Sequence, residues 1–596
     1  MVLVLLVWLY IFIISTSYGV FFFLFLKKKK LITQSPTLPP IYLLSLTGLC
    51  AIQIVACILS IFINIGFVAH LVVCLPAVIG IFVYPPPFSL IYKNIVTQST
   101  KQYLLLVPFV LLGLFLATSS HGYADTPSYH LQSIQWIEKY KVVPGLANLH
   151  GRLAFNSALF INSALFTFSF FKTEPLFLLN SYLFGLFVIV TVGYLLKGSL
   201  GSVKLFLLLA ILTFSVYFYT RFVSSPATDL AAGMYVLFMF YAFTLHKSSV
   251  SKGISYTYFA VLLMSICAMT IKLTVAPMAL VGISILIFNF KFIRLKHILA
   301  SAILVLLTIL PWLTRNVIMS GFLIYPLYSI DLFDVDWKMP ITYPLFDNNP
   351  KGYLLSAMAD KENIHTWAKM PQIYWKEVIK MSFGEWFPIW LKRQILYVKI
   401  MLGLVIFSPI LLGVVIWFKN KRGLVFYSKG KYQSLIIFWA VSLITTAYWF
   451  FAAPDARFAY SPLMIIAMTG LSICLRYFSP SVFYFLFCTR AKGYIVLAVA
   501  FFWVSVIVRT VEKGNIYFEN DFIVFPAKTK TYEIEIQKTN SGVEIFTTIQ
   551  PYEEKVGFEK VCGNTPVPCT PFFNPYLKMR GKTLEEGFRV DKEDIK

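Results

Sequence analysis

From Val2 to Thr510 the chain repeats one motif: apolar runs of roughly 20 residues separated by short polar turns. Hydrocarbon offers no partner to an unpaired backbone N–H or C=O, so each run is predicted to be a helix that satisfies its own backbone. Counting the runs gives about 14 transmembrane helices. Strict polar/apolar alternation occurs in the tail, at Thr531–Gln537 and Val543–Gln550, and predicts short strands there. The expected fold is an all-α polytopic membrane protein with a small extracytoplasmic C-terminal domain containing β-strands. Its expected segments are transmembrane helices at 1–118, a first large external loop with interfacial helices at 119–174, helices at 175–313, an external loop at 314–396, helices at 397–511 and the external domain at 512–596.

Composition sets the solvent: 58% of the residues are hydrophobic and 13% charged, too apolar for a soluble chain of 596 residues. The net charge of +24 resides mostly in turns between apolar runs, which is how membrane topology is specified and not how nucleic acid is bound. Val2–Leu26 lacks a basic start and a small-residue cleavage site, so it reads as a retained span. Lys27–Lys30 then place the first turn in the cytoplasm. Phe155–Phe171 is short and interrupted by Asn156, Ser157, Asn162 and Ser163; treated as interfacial, it leaves the basic turns at Tyr92–Lys101, Lys197–Lys204, His246–Lys252, Lys291–His297, Lys419–Lys431 and Arg490–Lys492 all inside. The outer pieces are then His121–Arg152, Phe222–Asp229, the turn at Lys272, Thr314–Leu396, Ala453–Pro462 and the tail after Glu512.

Six cysteines lie in or beside apolar runs, where a thiol is a small hydrophobe. Cys562 and Cys569 lie in the polar stretch CGNTPVPC, as a disulfide of an oxidising compartment or as two free thiols.

The unusual polar residues collect in the outer pieces. HGYADTPSYHLQSIQWIEKYKVVPGLANLHGR carries Asp125, His130, Glu138, His150 and Arg152. A partly desolvated carboxylate is a suitable general base, and Asp125 is the choice because it directly follows a span; the alternative is that it caps a helix beginning near Pro127. Glu138 has a weaker case, since EKYK on an amphipathic helix is more often a solvated face. Three histidines without HExxH spacing argue weakly for zinc, and Asp334 with Asp336 is a weak divalent-cation pair.

Arg221, Lys272, Arg315 and Arg457 stand at the outer ends of apolar runs, with Asp229 and Asp455 available to orient them. Such cations either snorkel to headgroups or bind a phosphate; four on the less basic face favour phosphate, with Arg as a fork and Lys as a point charge. Asp455 with Arg457 also reads as a purely structural pair. The chain has no GxxxxGK[ST] loop, GxSxG elbow or dinucleotide fingerprint, which leaves ATP-driven transport unsupported.

Taken together, YADTPSYHLQSIQWIEKYKVVPGLANLHGRLAFNS, SSPATDLAAG, TIKLT, TRNVIMSGFLIYP, APDARFAYSPL and CGNTPVPCTPFFNPYLKMRG resemble a bacterial family of large membrane proteins of the GT-C glycosyltransferase type, from about Ser119 to the carboxyl terminus. The resemblance implies an inner-membrane enzyme with its site on the extracytoplasmic face, a polyprenyl-phosphate sugar as donor, a glycan, lipid or protein as acceptor, and an acidic base, a place Asp125 occupies. HGYADTP offers one Asp where many such enzymes have a second acid or a metal-binding pair, so a divalent metal stays an open expectation. The rival readings are a lipid-linked glycan flippase or other transporter, which would place charge in mid-span, and a scaffold whose outer charges tolerate alanine.

Overall fold

A computed structural model describes the chain apart from residues 33–37, 84, 86, 88, 90–99, 198–201, 246–253, 341–367, 371–374, 422–432, 479–490, 550–560, 572 and 592–596. The basic turns expected at 92–101, 197–204, 246–252, 419–431 and 490–492, and much of the 314–396 loop, fall wholly or partly outside the described residues. The framework is helical. Among the described residues nine helices are long and apolar enough to cross a bilayer, and six more apolar helices are shorter. Lipid is therefore the solvent of the framework.

The first two long helices, Val2–Lys28 and Ile41–Phe62, pack most closely. Two glycines explain how: a Cβ at Gly19 would stand 1.8 Å from Leu44 O, and one at Gly48 would stand 1.6 Å from Ser15 O. Small residues let backbones approach where lipid removes the hydrophobic drive for association. The seam is completed by Ser15 and Ser45, 2.8 Å apart, and by Tyr182, whose hydroxyl lies 2.6 Å from Ser45 Oγ.

The 119–174 stretch folds as short pieces: Leu131–Lys139, Leu146–Leu149, Gly151–Phe155 and Ala158–Leu165. Ala158–Leu165 has 8 residues, so at about 1.5 Å per residue it cannot cross a hydrocarbon core of about 30 Å.

In the tail, β1 (Ile534–Lys538) and β2 (Glu544–Thr548) form an antiparallel pair with Ile536 opposite Phe546, and β3 (Lys578–Met579) pairs with β4 (Phe588–Arg589). The first pair lies where the alternation predicts strands; the second, two residues per strand, is too short to leave a pattern. Cys562 and Cys569 are joined by a disulfide. The tail is docked on the 119–149 segment: Gly563 N donates to Pro127 O at 2.8 Å, Gln132 Nε2 to Thr565 O at 2.8 Å, and Phe588 N to Pro144 O at 3.0 Å. It also grips the residues after the Leu295–Ser320 helix, where Arg580 forks onto Asp336 at 2.7 and 3.0 Å and lies over the Trp337 ring.

Candidate functional site

Four chain turns that are distant in sequence meet where helix ends converge. The segment Ser119–Asp125 leads into a π-helical turn, Thr126–His130. It is pinned to the Ser224–Ala227 turn by Ser224 Oγ donating to Ser120 O (2.9 Å) and by Thr126 Oγ1 lying 2.5 Å from Ser225 Oγ. Asn180 fixes that turn by donating to Ser225 O at 2.6 Å and Ala227 O at 2.8 Å, which presents Asp229 in the first turn of Thr228–Leu245. Lys272 ends the helix Tyr256–Ile271. The Ala453–Arg457 loop is held by two buried indoles, Trp390 donating to Pro454 O and Trp449 to Asp455 O, both at 2.7 Å.

The side chains of these turns form one ionic cluster. Arg457 Nη1 is 3.2 Å from Asp125 Oδ2, and Arg457 Nε is 3.0 Å from Asp455 Oδ2 and 3.9 Å from Asp229 Oδ2. Lys272 pairs with Asp229 and sits 3.5 Å above the Phe458 ring. Tyr123 lies at the centre: its hydroxyl accepts from Arg457 and is 2.5 Å from Asp125 Oδ2 and 3.2 Å from Asp229 Oδ2. Asp455 also accepts from the Arg457 backbone N–H at 3.2 Å, so it both caps this turn and orients its guanidinium.

Asp125 stands at the N-terminus of the 126–130 turn without a side-chain cap hydrogen bond. The capping alternative therefore does not describe it; its carboxylate is turned to Tyr123 and Arg457 instead. Burial raises its pKa above the ordinary carboxylate range, opposed by the charges of Arg152 and Lys272. Burial, reinforced by Asp229, lifts Asp455 to about 7. Burial drives His130 and His150 down to about 3, so both imidazoles are neutral at neutral pH.

Arg152 is buried beside this cluster, donates to Ser128 Oγ at 3.1 Å and lies over the Tyr129 ring. Four other candidates have different surroundings. Arg221 is exposed, and among the described residues no carboxylate pairs with it. Arg315 is buried but belongs to a different place, bonded to Asn156 and Ser60. Glu138, read as a solvated face or a weak base, instead accepts from Thr167 and, at 2.8 Å, from Ser169, tying the Leu131–Lys139 helix to the end of Ala158–Leu165. Asp336, offered as half of a cation pair, is taken by Arg580. Among the described residues no three His, Cys, Asp or Glu side chains gather as a metal set. Tyr123 and Phe458 went unnoticed in the sequence, where aromatic residues make up 17% of the chain and one more carries no signal.

With the fold and cluster in view, comparison with known proteins gives one assignment. The chain belongs to the family described as Domain of unknown function (DUF8201), which it matches over residues 1–464. The match takes in the helices before Ser119 as well as all four turns of the cluster. No curated protein and no solved structure shows significant similarity to the chain.

Proposed function

We propose that the protein is a membrane glycosyltransferase of GT-C type that transfers a sugar from a polyprenyl-phosphate donor to an acceptor hydroxyl on the extracytoplasmic face of a bacterial inner membrane. The observation that carries this reading is the meeting of Asp125, free of any capping duty, with Arg457 and Lys272 in one partly open cluster. Asp125 takes the acceptor hydroxyl proton as that oxygen attacks the anomeric carbon. The bond from the anomeric carbon to the phosphate oxygen breaks, its electrons stay on the phosphate, and the anomeric configuration inverts. Arg457 supplies a planar fork and Lys272 a point charge for the departing phosphate. Asp229 and Asp455 hold the two cations apart and aimed, and Tyr123 joins the base to Arg457.

The placement of these groups at helix ends favours a reaction at one mouth over a transport pathway, for which charge in mid-span is expected. The disulfide Cys562–Cys569 supports the extracytoplasmic orientation, because such bonds persist in oxidising compartments. The test is sugar transfer by the purified protein from labelled polyprenyl-phosphate sugars, with Asp125→Asn alongside. Loss of a general base lowers turnover by about 100-fold or more. Full activity in Asp125→Asn removes the base assignment, and transport without transfer by the wild type removes the reaction.

A further inference from the structure

Arg315 sits five residues before the end of Leu295–Ser320, a helix that is mostly uncovered by the rest of the protein, yet its own side chain is turned inward and is 2% exposed. Its partners are all neutral. Nε donates to Asn156 Oδ1 at 2.9 Å, Nη1 to Ser60 Oγ at 2.8 Å, and Nη2 meets the Met319 sulfur at 3.7 Å. Among the described residues no carboxylate pairs with it. A buried guanidinium bonded only to neutral groups is left short of compensation, because its charge has left water and gained no counter-charge.

Beside it lies a cavity of about 20 Å³, enough for one water molecule or one small ion. Its walls are largely apolar, Leu146, Leu153 and Phe160 among them, and they include Arg315 and Trp136. The Trp136 indole N–H is buried and has no hydrogen-bond partner among the described residues. Lys141, the second cation on the wall, is half exposed and 3.7 Å from Glu585, so its charge is already met. A small space, one unbalanced cation, a spare N–H donor and apolar walls describe a seat for a compact monovalent anion.

We propose that this cavity is a halide-binding site, occupied by chloride as the resident counter-ion of Arg315 and distinct from the Asp125 cluster. The site bears on that cluster by a short route. Asn156, in a left-handed conformation (φ 46°), accepts from Arg315 and donates to Trp312 O at 2.9 Å. The next residue, Ser157, lines the cavity and donates to Ile271 O, one residue before Lys272. An anion that fixes Arg315 thereby fixes the turn on which Lys272 is presented.

The experiment is thermal unfolding of the full-length protein in detergent, in sodium chloride, bromide or gluconate at equal ionic strength, with bromide located by anomalous scattering from wild-type crystals. The expected result is a Tm that rises with chloride or bromide to a plateau, does not rise with gluconate, and loses its halide dependence in Arg315→Met. Bromide density beside Arg315 and Trp136 is expected even if that variant fails to fold. Equal Tm in chloride and gluconate, or bromide-soaked crystals with no anomalous peak in this cavity, overturns the proposal. Neither readout depends on sugar transfer.

Discussion

Asp125 is surrounded by groups that use both states of a carboxylate: a phenol at 2.5 Å, a guanidinium at 3.2 Å and a buried setting that favours the neutral form. Asp125, Asp229 and Asp455 face Lys272 and Arg457, with Arg152 close behind, so cations and acids nearly balance. A donor phosphate must displace carboxylates from Arg457, and its negative charge raises the pKa of those left nearby. Asp455, already at about 7, is therefore expected to take up a proton as the donor binds. Donor affinity should improve as pH falls toward about 7 and level off below it, and Asp455→Asn should abolish most of the proton uptake measured by calorimetry in buffers of different ionisation enthalpy. Turnover has the opposite slope: Asp125 must be ionised to act, so kcat should fall on acidification through a pKa above the usual value of about 3.9. Arg457→Ala is expected to weaken donor binding by about 10-fold or more, the worth of one charge-assisted contact. The rare acid and the terminal cations were legible as residues because each interrupts an apolar run. Arg457 and Arg315 could not be told apart that way, since both end such a run and only packing decides which neighbours each meets.

At the scale of elements, the helix seams carry information that hydropathy does not. The runs themselves were plain from lipid-length periodicity, and the polar residues in 155–171 marked a segment whose helix has 8 residues. The contact of Val2–Lys28 with Ile41–Phe62 rests on Gly19 and Gly48, where a side chain would strike backbone oxygen and no flexible group can yield. Gly48→Val is expected to destabilise this pair by at least the ~1–3 kcal/mol typical of overpacking, read as a lower Tm in detergent, whereas Gly403→Ala, with open space around it, should be neutral. The helix beginning near Pro127 was legible, but its π-helical first turn at 126–130 and the short helices around Gly151–Phe155 were not, because pieces of five residues give no period and are shaped by what they pack against.

At the scale of the whole molecule, the tail docks on the segment that follows Asp125. The disulfide loop touches the segment that follows Asp125 at Pro127 O and at Gln132, and Gln135 Nε2 reaches Asn564 Oδ1 at 2.6 Å. Removing the bond with Cys562→Ser and Cys569→Ser should loosen residues 126–139 in hydrogen exchange while leaving the long helices protected. Turnover should drop between about 10- and 100-fold, the scale of a small misplacement of a catalytic group. Unchanged exchange in 126–139 would mean that the tail rests on the loop without positioning it. The sequence announced a small strand-bearing tail with two candidate cysteines but not where it docks, because docking joins backbone groups that every sequence has to polar side chains such as Gln132, Gln135 and Asn564 that carry no pairing signal. The most direct measurement of the central claim is a structure of the full-length protein with polyprenyl phosphate bound. The expected result is the phosphate on Arg457 and Lys272 with the Asp125 carboxylate released toward the acceptor side. A phosphate held elsewhere, with the Asp125–Arg457 pair intact, would contradict it.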